Sequence, residues 1–277
     1  MSFQILFLGD VMGRAGRTAV ENHLPGLLEK YPIDFVVCNA ENAAHGFGIN
    51  EAICDQLFSL GVDVITLGNH SFDQRETMIF IERMPNLLRP ITYPQGTPGR
   101  GAGLFKARSG AQVLVVNVMG RLFMNAMEDP FAGADRVLEQ YPLGHVADFA
   151  VFDFHAEATS EKQAFGAFLD GRATLVVGTH THVPTSDYRV MPGGTAFQSD
   201  AGMCGDYDSV IGMDKAEPVQ RFVTKLPQAR YSPAEGDASL CGIAVSADAK
   251  SGLATAIEPV RLGGALSSTL PSFWTRG

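Results

Sequence analysis

The sequence predicts an α/β protein in which helices cover both faces of the sheet. Short, continuous apolar segments recur through the first two thirds of the chain, and amphipathic stretches of helical length separate them. Strands that are apolar along their whole length are typical of sheets that are buried on both faces. A chain of 277 residues can bury about three quarters of its extended surface. We therefore expect a large core that needs no disulfide bonds.

Each element is predicted from its own segment of sequence. Apolar runs predict strands at 3–9, 35–39, 62–68, 112–120, 149–154 and 173–178. Helical periodicity predicts helices at 17–30, 51–61, 73–83 and 159–170. Gly61 and Gly171 end two of these helices, and Pro85 stops a third.

The last third of the chain has a different pattern. Residues 187–213 are rich in glycine, aspartate and turns, so we expect short strands and loops there. Residues 241–248 and 254–262 are predicted to form a late antiparallel pair. Residues 120–133 are poorly periodic and are interpreted as a flap or a small insertion in a single domain that spans 1–277.

Composition and charge exclude several classes of protein. The net charge of −9 argues against a broad surface for duplex nucleic acid or for an anionic membrane. No apolar run reaches the roughly 18–20 residues that cross a bilayer. The apolar N-terminus has no basic residue before Arg14, unlike a signal peptide, and the four cysteines have no CxxC spacing. We expect a cytoplasmic protein with reduced thiols.

Polar side chains follow five of the predicted strands at the point where each strand ends. In open α/β sheets, ligands bind outside the carboxyl ends of the strands. Each residue alone could be a helix cap or a hydrogen-bonded loop residue, but their recurrence at strand ends favours one shared site. The side chains that can donate to a metal are Asp10, Glu41, Asn42, Asn69, His155, His180 and His182.

The donor set has a mixed oxygen and nitrogen chemistry. Two carboxylates, two amide oxygens and three imidazoles are too many donors for one tetrahedral zinc site. They suit two adjacent transition metals that share a carboxylate. Imidazole and carboxylate are compatible with Fe, Mn, Zn or Co, and the ligand types alone do not choose between them.

These residues lie in motifs that identify a family. The series GD, NAEN, GNH, DFHAE and GTHTH resembles the calcineurin-like metallophosphoesterases, and LGDVMGRAGR and NAENAAHGFGI are most similar to their YmdB-like branch. The resemblance extends from Phe3 to about Leu262. It implies a four-layer αββα sandwich of two mixed sheets flanked by helices, and a centre of two iron or two manganese ions. The chain departs from the wider superfamily at Met12, where the pattern has histidine, and at the NAEN motif, where it has GDxxD.

The resemblance also implies how the donors divide between two metals. Asp10, Glu41, Asn42 and His182 would hold one ion. Glu41 would also join Asn69, His155 and His180 around the other.

Other polar residues receive weaker assignments. His70 directly follows the donor Asn69, so it is interpreted as the general acid for the leaving oxygen, with a ligand-orienting role as the alternative. Candidates for substrate binding or for hydrogen bonding to the ligands are His45, Asp73, Glu157 and Thr181. Asp200, Asp206 and Asp208 are interpreted as loop acids.

The expected function is a dinuclear-metal-dependent phosphodiesterase. The resemblance implies attack by metal-bound hydroxide on 2′,3′- or 3′,5′-cyclic nucleotides or on related small phosphodiesters. Alternatives are a phosphomonoesterase at the same site, a regulatory protein that acts on RNA metabolism through a protein partner, and amide or ester hydrolysis. The oligomeric state is left open, including a homo-oligomer.

Overall fold

The computed structural model describes residues 2–125 and 127–274. Its strands are, in chain order, β1 Ser2–Leu8, β2 Asp10–Val11, β3 Phe35–Asn39, β4 Val64–Thr66, β5 Leu87–Leu88, β6 Ala102–Lys106, β7 Gln112–Met119, β8 Phe149–His155, β9 Leu175–Thr179, β10 Arg189–Val190, β11 Ala196–Gln198, β12 Met203–Asp206, β13 Ala238–Asp248 and β14 Ala254–Leu262.

The α-helices among these described residues are α1 Gly13–Lys30, α2 Glu51–Ser59, α3 Thr77–Phe80, α4 Pro130–Gln140, α5 Thr159–Leu169 and α6 Ala216–Thr224. Single 3₁₀ turns follow at Ile81–Arg83 and Ser272–Trp274.

The strands form two mixed sheets. The first has the order β2-β12-β13-β1-β3-β4-β5, with β14 paired to β13. Within it β1, β3, β4 and β5 run parallel, whereas β13 lies antiparallel to β1. The second sheet has the order β10-β11-β9-β8-β7-β6, and β7, β8, β9 and β11 run parallel.

Alternation along β1 shows how the layers stack. Leu6 and Leu8 face one side and pack with α1 and α2 residues such as Leu24 and Leu57. The alternate residues Phe3, Ile5 and Phe7 face the second sheet. The ring of Phe3 stacks there on Phe149 of β8, with centroids 3.9 Å apart.

The outer face of the second sheet packs against helices as well. Phe152 and Phe154 of β8 contact Phe165 of α5, and Ala134 and Leu138 of α4 belong to the same cluster. Three apolar clusters therefore separate four layers, and the predicted αββα sandwich is confirmed.

Several elements differ from the sequence prediction. The helix predicted at 73–83 has only the short α3 and one 3₁₀ turn, because residues 71–76 form turns that pack around the site. Helix α1 begins earlier than predicted, at Gly13. Helices α4 and α6 and strands β5 and β6 were not predicted. The segment 120–133 contains the start of α4, and within this segment Ala126 lies outside the described residues.

The topology brings the predicted donors together. Strands β3 and β4 of the first sheet and β8 and β9 of the second all end at one edge of the sandwich. Across the ranges 2–125 and 127–274, no helix is long and apolar enough to cross a bilayer.

Candidate metal centre

The predicted donors come from both sheets and are mostly buried. Asp10 lies in β2, and Glu41 and Asn42 lie in the turn after β3. Asn69 follows β4, His155 ends β8, and His180 and His182 follow β9. Asp10, Glu41 and His155 are no more than 1% exposed. Groups this polar are buried at a high free-energy cost unless they have strong partners.

One donor group surrounds the Nε2 atom of His155. Asn69 Oδ1 lies 2.8 Å from this nitrogen, Glu41 Oε1 lies 3.1 Å away, and His180 Nδ1 lies 3.1 Å away. Ligand atoms at tetrahedral metal bonds of about 2.0–2.1 Å would be about 3.3 Å apart. Suitable atoms of Glu41, His155 and His180 lie within 4.8 Å of one another, so the spacing fits a metal ion.

The other donor group surrounds His182. Its Nε2 atom lies 3.3 Å from Asn42 Oδ1 and 3.9 Å from Asp10 Oδ1. The Asn42 amide nitrogen donates to the Gly46 carbonyl, which turns the amide oxygen toward His182. Asp10 Oδ1 is buried and accepts no hydrogen bond from the described residues. An unpartnered carboxylate oxygen next to an imidazole and an amide oxygen fits a cation site.

Each of the three histidines is held through the ring nitrogen that faces away from the other donors. Thr179 Oγ1 lies 2.9 Å from His155 Nδ1 and donates to Asp153. Glu157 Oε2 lies 3.1 Å from His180 Nε2. His182 Nδ1 donates to the backbone carbonyl of residue 211, 2.8 Å away. In a neutral ring these partners keep the proton on the outer nitrogen, so that the inner nitrogen has the lone pair that a metal ion requires.

The buried carboxylates of the site repel one another and therefore favour the binding of a cation. Burial raises the pKa of Asp10, and the charges of Asp200, Glu41 and Asp153 raise it further against the opposing effect of His155. Burial also raises the pKa of Glu41, but His155 and the His70 N–H outweigh it and lower that pKa to about 2. A cation among these carboxylates would relieve their repulsion.

The same surroundings favour neutral imidazoles at two of the three histidines. Burial, together with the nearby charge of His155, lowers the pKa of His180 to about 3. Burial also lowers the pKa of His182. Burial alone would lower the pKa of His155, but the charge and hydrogen bond of Glu41 outweigh burial and raise this pKa to about 9.

Gly68 leaves room for the donors at the end of β4. A Cβ atom on this residue would lie 2.4 Å from His155 Nε2 and 2.5 Å from Glu41 Oε2. Any side chain here would occupy the space between the two donors. The site therefore requires glycine at position 68.

His70 lies beside the donors but makes different contacts. Its backbone N–H donates to Glu41 Oε2 at 2.8 Å, and its Nδ1 atom lies 2.8 Å from Asp73 Oδ2. The ring contacts Phe47 edge to face, and the side chain is 25% exposed in a cavity. Asp73 therefore orients the ring through Nδ1, and Nε2 is left for contact with a substrate.

The remaining weak candidates have different surroundings. Glu157 contacts His180, as described above. The backbone N–H and the hydroxyl of Thr181 both donate to Asp200 Oδ2, so the hydroxyl proton is used inside the turn rather than directed at a substrate. His45 is exposed and does not line the cavity that contains His70.

Comparison with known proteins places the chain in a family. The profile of the YmdB-like protein family matches residues 6–260. The chain belongs to the YmdB-like family.

Individual relatives agree with this membership. A Bacillus subtilis (strain 168) protein named 2′,3′-cyclic-nucleotide 2′-phosphodiesterase is 45% identical over 93% of this chain and 96% of its own. A crystallised protein from Thermus thermophilus superposes with a TM-score of 0.87 at 41% identity, covering 95% of this chain and 100% of its own. A Mycoplasma pneumoniae phosphatase superposes with a TM-score of 0.87 at 32% identity, covering 95% and 94%.

The prediction of an enzyme is thereby confirmed. The YmdB-like chain is a metal-dependent hydrolase of the phosphodiesterase and phosphatase class.

Two buried acids of this YmdB-like chain were missed as site residues. Asp153 accepts hydrogen bonds from Asn39, Thr66 and Thr179, and so joins β3, β4 and β9 beneath the donors. The signal in the sequence was a single charged residue inside the apolar run FAVFDF.

Asp200 lies in a loop, as expected, but it is buried and contacts the site. It is 1% exposed and pairs with the equally buried amine of Lys162 at 2.8 Å. Because Asp200 also accepts two hydrogen bonds from Thr181, this ion pair supports the turn that carries His180 and His182. That turn contains two non-glycine residues with positive φ, 98° at His180 and 64° at His182. Such backbone persists only where surrounding contacts hold it.

The side chain of Met12, which stands where the wider superfamily has histidine, has a packing role in this structure. Its side chain is 1% exposed and packs closely against the glycine backbone at 46, 205 and 212. A thioether is a poor ligand for a borderline divalent ion, and here it fills space beneath the loops.

Proposed function

We propose that this chain is a two-metal phosphodiesterase that opens 2′,3′-cyclic nucleotides. The observation that carries the proposal is the pair of neighbouring donor groups around His155 and His182, with each imidazole held through its outer nitrogen. The name of the Bacillus subtilis relative supports the same substrate class.

The donors divide between two ions in this proposal. Asp10, Asn42 and His182 would hold one ion, Asn69, His155 and His180 would hold the other, and Glu41 would contribute to both. When bound, two cations neutralise the phosphate oxygens and lower the pKa of a water molecule, so that hydroxide is available near neutral pH. Iron and manganese fit the family resemblance, and zinc or cobalt suits the same donors.

His70 supplies the proton for the leaving oxygen. Water oxygen forms a bond to phosphorus and releases a proton, the bond from phosphorus to O2′ breaks, and O2′ takes a proton from Nε2 of His70. The proton that the water released restores the one on His70. The product is a 3′-phosphate with a free 2′-hydroxyl. Asp73 fixes the ring during this transfer through its 2.8 Å contact with Nδ1. Proton transfer by a positioned acid contributes about 10²–10⁴ to the rate.

The test compares hydrolysis of matched phosphate esters by protein loaded with Mn²⁺ or Fe²⁺. The substrates are 2′,3′-cyclic AMP, 3′,5′-cyclic AMP, an aryl phosphodiester and the corresponding aryl monoester. We expect the highest kcat/KM for 2′,3′-cyclic AMP, about two metal ions per chain, and loss of turnover in His180→Ala. His145→Ala is the matched control, because His145 is exposed and lies outside the donor groups.

Other results would favour other functions. Faster hydrolysis of the monoester would favour a phosphomonoesterase. Two bound metals without turnover of any ester would favour a regulatory protein that acts on RNA metabolism through a partner. In that case the biological effect should survive His180→Ala.

We also infer that the protein works in the cytoplasm. Its four cysteines are all buried and free of disulfide bonds, as suits a reducing compartment.

A further inference from the structure

The cavity at the metal centre has two chemically different ends. Its volume is about 290 Å³, near the lower limit of cavities that hold small ligands. One end contains donors and His70. The other end, which we call the apolar wall, consists of Phe47, Val210, Ile211, Met213, Pro218, Phe222 and Tyr231.

The apolar wall is continuous with the catalytic end. Phe47 contacts the ring of His70, with centroids 5.1 Å apart. The backbone carbonyl of Ile211 holds His182 at 2.8 Å. A ligand whose phosphate lies at the donors therefore meets aromatic and aliphatic surface at once.

The aromatic part of the wall is held in place by charged residues. Glu217 of α6 accepts hydrogen bonds from Arg221 at 2.5 Å and from the backbone N–H of Ala229 at 2.9 Å. The guanidinium of Arg221 lies 4.1 Å from the ring centroid of Tyr231. These contacts tie the segment that carries Tyr231 to the helix that carries Phe222, so both residues lie at the same edge of the cavity before any ligand binds.

Phe222 is unusually exposed for a large aromatic residue. It is 73% exposed at the edge of the cavity, and Tyr231 is 38% exposed. Solvent-exposed aromatic rings beside a charged site are typical of surfaces on which nucleobases stack.

We propose that the apolar wall is a nucleobase subsite in which Phe222 and Tyr231 bind the base of the substrate. This inference rests on the proposed phosphodiesterase function and names the part of the site that distinguishes nucleotides from other phosphodiesters.

The composition of the wall also sets its selectivity among bases. Apart from the Tyr231 hydroxyl and the Met213 thioether, its side chains carry no polar atom that could read a base edge. Stacking alone tolerates every base, because each has a π face. The enzyme should therefore hydrolyse the four 2′,3′-cyclic nucleotides with kcat/KM values within about tenfold of one another, and should prefer all of them to a phosphodiester without a base.

The experiment uses two five-membered cyclic phosphodiesters, 2′,3′-cyclic AMP and glycerol 1,2-cyclic phosphate, with the manganese-loaded protein. Phe222→Ala should lower kcat/KM for the nucleotide at least about fivefold, the lower end of the loss expected for one stacked base. It should leave the glycerol substrate unchanged, and Phe222→Trp should restore the nucleotide reaction. Val223→Ala is the matched control, because Val223 is 75% exposed on the same helix and does not line the cavity.

Calorimetric titration keeps the test independent of turnover. The unaltered protein should bind adenosine 3′-monophosphate more tightly than inorganic phosphate, and Phe222→Ala should reduce the difference at least about fivefold. If neither cyclic ester is hydrolysed but this difference is seen, the proposed function fails and the subsite stands.

Three results would overturn the subsite. Phe222→Ala could affect both esters equally, or neither. It could instead change the molecular mass in solution, which would assign Phe222 to an interface between copies of the chain.

Discussion

The ring of His70 is fixed by Asp73, while its backbone N–H holds Glu41. These two contacts separate the proton-transfer role that we propose for the His70 side chain from the metal-binding role that we propose for Glu41. Replacing the side chain removes the acid but leaves the backbone contact with Glu41 in place.

His70→Ala should therefore lower kcat at least about 100-fold without loss of metal. Asp73→Asn should lower kcat by a smaller factor of about 10–100, because it weakens only the contact that orients the His70 ring. Metal content and steady-state kinetics check both variants. Loss of metal from His70→Ala would show that the residue has a structural role instead.

Lys162 has a buried partner and no expected contact with substrate. Lys162→Met should leave the Asp200 carboxylate buried without its cation and lower the free energy of unfolding by about 3–5 kcal/mol. Urea unfolding measures this loss. The exposed pair of Arg83 and Glu51 is the control, and Arg83→Ala should cost less than about 1 kcal/mol. Equal effects of the two variants would contradict the structural role of the buried pair.

At the scale of secondary structure elements, close approach between backbones decides where glycine is required. A Cβ atom on Gly178 at the end of β9 would lie 1.8 Å from the carbonyl oxygen of Ser199. Gly26 in α1 is exposed, and an added Cβ atom would meet nothing within 4 Å.

Gly178→Ala should displace the turn that carries His180 and lower both stability and turnover. Gly26→Ala should raise the free energy of unfolding by about 0.5–1 kcal/mol, since alanine favours helix. Thermal unfolding and kinetics of the two variants give the comparison. A tolerated alanine at 178 would mean that β9 can shift without harm to the site.

Prediction of the elements from sequence succeeded where apolar runs were long. Strands β1, β3, β7 and β8 were found because all or all but one of the residues in each are buried. Helix α4 was missed although Asp129 caps it and Pro130 begins it, because the segment 120–133 that contains both residues is poorly periodic. Helix α6 was missed because Pro218 lies inside its first turn.

Contacts between segments that lie far apart in the sequence could not be predicted from sequence patterns. The donor residues could be named because strand ends share one edge of a sheet. The hydrogen bonds from Asn39, Thr66 and Thr179 to Asp153 could not, because they join three strands whose order no local pattern specifies.

At the scale of the whole molecule, the candidate metal centre draws its donors from both sheets. Glu41 and Asn69 follow strands of the first sheet, whereas His155 ends one strand of the second sheet and His180 follows another. A bound ion that all four contact therefore resists separation of the sheets, in addition to any role in the reaction.

Metal binding should raise the thermal stability of the fold. At a free concentration 100-fold above Kd, an ion stabilises the folded state by about 2.7 kcal/mol, which is about 5–10 °C in Tm for a chain of this size. Scanning calorimetry with Mn²⁺ and with a chelator measures the shift. His145→Ala should keep the shift and His180→Ala should reduce it; an unchanged Tm would argue against a site that links the sheets.

The pairing of β1 with β13 has a consequence for synthesis on the ribosome. Ser2 to Leu8 leave the ribosome before both of their neighbours in the sheet; β3 follows soon afterwards, but the other neighbour begins at Ala238. At a synthesis rate of ~5–20 residues per second, the second edge of this apolar strand stays unpaired for roughly 10–50 s. Open apolar edges of this kind are sites of aggregation. A nascent chain that stalls before Ala238 should therefore depend on chaperones more than the finished protein does.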